Sequence, residues 1–94
     1  MKYPDWNNVK CIASGINWTY EINKSGYYLV CAWGQYGREY IYVNGQSVAF
    51  GGFLGNYYLA DYNLLLLNKG DIVTASKYDG GSSVHCELYY LPFK

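Results

Sequence analysis

The dipeptide Asn44-Gly45 constrains this chain more tightly than any other feature. It ends the run Arg38-Glu39-Tyr40-Ile41-Tyr42-Val43, in which an extended backbone places Arg38, Tyr40 and Tyr42 on one side and Glu39, Ile41 and Val43 on the other. Asn and Gly are the residue types that accept positive φ at the centre of a tight turn, so the spacing predicts a β-hairpin here. Asn68-Lys69-Gly70-Asp71 separates residues 64–67 from 72–75 and predicts a second antiparallel reversal of the same kind. No window sustains a helical period, and 11 glycines punctuate the sequence at short intervals. The expected fold is therefore all-β, an antiparallel β-sandwich or jelly roll of about eight strands. Strands are expected over residues 9–13, 18–22, 27–33, 38–43, 46–50, 57–67 with a break near Asp61, 72–76 and 84–91.

A chain of 94 residues is one domain, with residues 1–8 read as a linker or N-terminal extension. Its aromatic load of 13 Tyr, 3 Trp and 3 Phe exceeds what one thin core can absorb. A tyrosine ring can pack while its hydroxyl stays wet, so the surplus points to a subunit interface or a ligand surface, with ordinary strand-forming tyrosine accounting for about half of it. Within 27–33, Tyr27, Leu29, Cys31 and Trp33 form one face and Tyr28, Val30 and Ala32 the other, and neither carries a charge. A strand apolar on both faces in a two-layer protein needs a further covering layer, for which another subunit is the simplest source. The strands carrying Tyr28, Tyr40, Tyr42 and Tyr89 lead as interface candidates.

Seven basic residues balance seven acidic ones, and no cluster of Lys or Arg occurs, so nucleic acid is not an expected partner. Membrane insertion is not expected either, because the apolar run at 64–67 is far below the roughly 18 residues of a span. The opening Met1-Lys2-Tyr3-Pro4-Asp5-Trp6 is polar and turn-like, unlike a secretory leader. Cys11, Cys31 and Cys86 are odd in number and lie in apolar runs without metal-type spacing. The favoured reading is three buried reduced thiols, with a Cys31–Cys86 bridge as the alternative.

Catalytic chemistry finds little to use. The single His85 falls by alternation on the outer face of the last strand, with Glu87 a full pleat away and Cys86 on the opposite face. One His and three scattered Cys make no metal set, and no cofactor is expected. Asp71 is read as a turn residue that binds nearby amides. Gly51-Gly52-Phe53-Leu54-Gly55 lacks the strand-to-helix setting and the Lys of a phosphate loop, and is read as a flexible loop with Phe53 exposed. Binding suits the composition better, because sugar rings offer apolar C–H faces to aromatic rings and polar edges to Asp, Asn and Gln. Loops holding such mixtures nominate Tyr36, Tyr57, Tyr58, Asp61, Tyr78 and Asp79 as a ligand-binding set.

The order Ser25-Gly26-Tyr27-Tyr28, Ile41-Tyr42-Val43-Asn44-Gly45, Leu65-Leu66-Leu67-Asn68-Lys69-Gly70-Asp71-Ile72-Val73 and Glu87-Leu88-Tyr89-Tyr90-Leu91-Pro92 resembles the distal head domains of bacteriophage and prophage tail fibres. It is also similar to the wider jelly-roll group of tumour necrosis factor and the globular head of the first complement component. The resemblance implies a homotrimer at the tip of a virion tail fibre, folded in the bacterial cytoplasm. Its implied role is attachment to a bacterial cell-surface receptor, often a glycan. Two other readings stand beside it: a structural trimerisation cap that binds nothing, and a small lectin unrelated to phage.

Overall fold

The computed structural model describes residues 2–52, 58–79 and 83–94, with Tyr78, Asp79 and Ser83 described by backbone alone. A 3-10 turn over Trp6–Asn8 leads into eight strands: β1 (Lys10–Gly15), β2 (Trp18–Glu21), β3 (Gly26–Gln35), β4 (Arg38–Val43), β5 (Gln46–Gly51), β6 (Leu59–Leu67), β7 (Ile72–Asp79) and β8 (Ser83–Leu91). They form two four-stranded sheets, ordered β1-β8-β3-β6 and β2-β7-β4-β5. Every pairing is antiparallel.

Alternation decides what each sheet buries. Tyr28, Val30 and Ala32 of β3 and Cys86 and Leu88 of β8 point inward from the first sheet, meeting Ile41, Ala49, Val73 and Ala75 of the second. Their odd-numbered neighbours in β3 and β8 form the first sheet's outer face. The expected assignment of faces in β3, β4 and β8 is thus the observed one, with the charge-free Tyr28-Val30-Ala32 side inside.

The β4–β5 hairpin follows its turn chemistry. Asn44 and Gly45 take φ values of 50° and 83°, and Val43 pairs with Gln46. The second turn does something else. Gly70 has φ 97° and the Asp71 amide donates to the Asn68 carbonyl at 3.0 Å, but β6 and β7 do not pair. β6 lies beside β3 in one sheet and β7 between β2 and β4 in the other, so this turn bridges the sandwich and is not a hairpin. The same holds for every connection except β4–β5.

No break occurs near Asp61: β6 pairs with β3 without interruption from Leu59 to Leu67. Irregularities fall elsewhere, between Cys11 and Ala13 in β1 and between Arg38 and Glu39 and between Ile41 and Tyr42 in β4. Gly51 and Gly52 are packing glycines. A Cβ on Gly51 would collide with the backbone of Ala32 and Trp33, and one on Gly52 with the Gly37 carbonyl, so β5 closes onto β3 only because position 51 has no side chain. Phe53, Leu54 and Gly55 of the expected loop lie outside the described residues.

The N-terminal residues run beside the C-terminus. Pro4 bridges to Phe93, Asp5 N–H donates to the Pro92 carbonyl, and Lys94 N–H donates to the Tyr3 carbonyl, both at 2.8 Å. Lys2 Nζ stands 5.0 Å above the Phe93 ring and Tyr27 Oη donates to the Lys2 carbonyl.

Candidate functional site

Of the nominated ligand residues, Tyr36, Tyr58 and Asp61 have described side chains, and all three fall toward the end of the sandwich at which Gly34 of β3 pairs with Leu59 of β6. Tyr36 sits in the β3–β4 connection at φ 61° with 53% of its surface exposed, a strained backbone that holds the ring outward. Tyr58, 61% exposed, precedes β6. Asp61 is on β6, and its carboxylate accepts from the Phe50 amide of β5 at 3.2 Å. Asn63 Nδ2 donates to the Val48 carbonyl at 2.7 Å, so the two β6 side chains stitch the edge of one sheet to the edge of the other. Asp61 thus serves the sandwich seam, a role that loop composition could not reveal. Tyr57 lies outside the described residues, as do the side chains of Tyr78 and Asp79.

The four interface tyrosines occupy three different environments. Tyr28 belongs to the core, 2% exposed, with its hydroxyl donating to the Lys24 carbonyl at 2.6 Å. Tyr40 and Tyr42 stack at 6.0 Å on the outer face of the second sheet, with Phe50 beside Tyr40 at 5.8 Å. Tyr89 lies on the outer face of the first sheet and donates to Glu87. No single surface contains all four.

That first outer face carries a group of exposed apolar side chains. Tyr62 is 57% and Leu66 63% exposed, Leu64 lies between them on the same face of β6, and Tyr27, Leu29 and Trp33 of β3 stand partly exposed alongside. Toward β1 it becomes polar. Ser14 Oγ lies 2.9 Å from His85 Nε2, and Glu87 Oε2 is 3.6 Å from the same nitrogen, nearer than a full pleat led us to expect. A serine–histidine–carboxylate relay requires the hydroxyl on one ring nitrogen and the carboxylate on the other. Here both meet Nε2, and Trp33 packs on the ring at 4.9 Å.

The cysteines are free. Cys31 and Cys86 are buried, but Cys11 is exposed on the edge strand β1, contrary to the expectation of three buried thiols. A Cys31–Cys86 bridge is excluded by register. Cys86 pairs with Ala32, so adjacent Cys31 points to the outer face while Cys86 points into the core.

Two carboxylates have defined roles. Asp71 is the knot of one end of the sandwich: its Oδ2 accepts from Asn68 N–H at 2.8 Å and its Oδ1 from Asn44 Nδ2 at 3.0 Å. Asn44 Oδ1 in turn accepts from Ile72 N–H at 2.9 Å. These donors hold the Asp71 carboxyl below the usual carboxylate range, in agreement with its expected role as a turn residue. Glu39 is fully buried between the sheets, with no conventional hydrogen-bond donor on either oxygen and the Cys86 thiol as its neighbour.

A concavity among the described residues lies where sequence reasoning placed no site. A pocket of about 220 Å³ opens between the edge strands β1 and β2, on the side of the sandwich away from the β5–β6 seam. Lys10 and Ile12 of β1, Tyr20 of β2, and Asn23 and Lys24 of the β2–β3 connection line it. Tyr28 and Tyr90, whose rings pack at 5.1 Å, form its floor. No carboxylate is among the described lining residues. Tyr20, Asn23, Lys24 and Tyr28 lie close together in the sequence, but Lys10, Ile12 and Tyr90 reach them only through the fold. Among the described residues no group of three His, Cys, Asp or Glu is placed to hold a metal ion, and no helix is long and apolar enough to cross a membrane.

No protein-family model matches the chain, and a search of curated proteins finds no match.

Proposed function

We propose that this chain is the receptor-binding head of a phage or prophage tail fibre, acting as a homotrimer that attaches to a bacterial cell-surface receptor, with a glycan as its ligand class. The observation that carries this reading is the apolar outer face of the β1-β8-β3-β6 sheet. A face bearing Tyr27, Leu29, Trp33, Tyr62, Leu64 and Leu66 is poorly suited to water, and burying it against two further copies gives each head the missing third layer. The strand order supports the same reading. Two sheets ordered β1-β8-β3-β6 and β2-β7-β4-β5, with all links but one crossing between them, follow jelly-roll connectivity, the architecture of the resembled heads.

The test has two arms. Sedimentation at micromolar concentration is expected to give a trimer, and Leu66→Glu a folded monomer; a wild-type monomer overturns the assembly. Labelled wild-type head is expected to bind whole bacterial cells of a susceptible strain. A trimer that binds no cells in a broad strain panel removes the receptor role and leaves the structural cap, whereas binding confined to eukaryotic glycans supports the unrelated lectin.

A further inference from the structure

We propose that the pocket between β1 and β2 binds an acidic sugar residue, a pyranose bearing a carboxylate, such as a uronic or sialic acid. This rests on the receptor reading above and names the ligand class and the site. This pocket brings two lysines, aromatic rings and an amide side chain together in a concave space.

Each wall has a definite chemistry. Lys10 and Lys24 both line the pocket, one on the edge strand and one on the β2–β3 connection. With no acidic group among the described lining residues, their charge is available to an incoming anion, and charge-assisted hydrogen bonds to a carboxylate are among the stronger polar contacts a surface site can make. Tyr20 and Tyr90 supply ring surface against which the C–H face of a pyranose can pack. Asn23 offers both a donor and an acceptor for ring hydroxyls.

The floor is rigid. The Tyr28 hydroxyl is fixed by its 2.6 Å bond to the Lys24 carbonyl, which also anchors the backbone that presents Lys24 and Asn23. Burial, with Tyr90 and Tyr20 close by, pushes the Tyr28 phenol up to about 12, so it stays a neutral donor and adds no negative charge beneath the ligand. The location matters too. β1 and β2 are the edge strands on the side opposite the stitched β5–β6 seam, so the pocket opens on the flank of the sandwich and not on the apolar face assigned to assembly.

NMR titration of the full chain with sodium glucuronate, and separately with N-acetylneuraminate, tests the site. We expect at least one to shift resonances of Lys10, Tyr20, Asn23, Lys24 and Tyr90, to weaken as salt rises, and to lose about tenfold in affinity in Lys10→Gln or Lys24→Gln. Uncharged methyl glucoside binding equally well, inorganic phosphate binding equally well, or shifts confined to other surfaces each overturn the proposal. Cell attachment separates it from the reading it rests on. If wild-type head attaches to cells and the Lys10→Gln/Lys24→Gln double variant attaches equally well, the pocket falls and the receptor role stands. If wild-type head attaches to no cell, the receptor role falls and the titrations alone decide the pocket.

Discussion

A carboxyl group enclosed between two sheets, with a thiol and a lysine as its neighbours, keeps its proton well above the ordinary carboxylate range. Burial pushes Glu39 from 4.5 up to about 7, against the opposing pull of the Cys86 thiol and Lys77. Between those two values the folded chain holds a proton that the unfolded chain has lost, so this contribution to stability is complete below about 4.5 and disappears as pH rises through 7. Urea unfolding is expected to show the wild type losing roughly 2 to 3 kcal/mol between mildly acidic and mildly alkaline pH, with Glu39→Gln removing most of that slope. A slope unchanged in the variant would assign it to other groups. Asp71 runs in the opposite sense: its lowered value makes it stabilising above the unfolded carboxylate range, and that contribution is lost as acid protonates it. The thiols divide by the same physics. Cys11, exposed, is expected to react with a thiol reagent in the native state, while Cys31, pushed up to about 11 by burial and by Glu87, and Cys86, raised by burial and by Glu39, react only after unfolding. Three fast thiols, or none, would contradict this partition.

The strands themselves were largely legible in the sequence. Residues 38–43 were expected as a strand and form one, the ends of the others move by a few residues, and the Asn44-Gly45 turn has the predicted backbone. Local alternation identified which side chains share a face, because that depends only on the extended backbone. Which strands become neighbours depends on contacts between distant segments, so the Asn68–Asp71 turn was misread as a hairpin and β6 was not recognised as the partner of β3. The pocket between β1 and β2 was not legible for a related reason. Lys10 and Tyr90 meet the Tyr20–Lys24 stretch only after the two sheets close, and Asp61 looked available because nothing in its own neighbourhood discloses the Phe50 amide. The Gly51-Gly52 pair was taken for flexibility when its purpose is close approach. Gly51→Ala is therefore expected to force β5 from β3 and destabilise the fold by about 2 kcal/mol or more, read by thermal unfolding. A neutral substitution would show that β5 can shift at little cost. Asn63→Ala, which strips the Val48 carbonyl of its donor, is expected to cost about 1 kcal/mol and to speed amide exchange along β5.

At the scale of the whole molecule, the two sheet faces differ in what they ask of their surroundings. The second sheet shows Thr19, Glu21, Thr74 and Ser76 beside the Tyr40–Tyr42–Phe50 strip, a mixture that water tolerates. The first shows leucines and aromatic rings, and the trimer proposed for that face predicts that Tyr62→Glu dissociates the assembly while Tyr42→Glu leaves it intact, as read by sedimentation. The reverse result would move the interface to the other sheet.

Side-chain stitching between β5 and β6 has a consequence for unwanted association. An edge strand normally carries free amides and carbonyls that can template a foreign chain, the usual route to fibrillar aggregates. In β5 the Phe50 amide and the Val48 carbonyl are already engaged by Asp61 and Asn63, so a stray strand arriving at this edge finds two of its docking groups occupied. Copies of the chain brought side by side thus meet an edge at which these two groups are no longer available to pair.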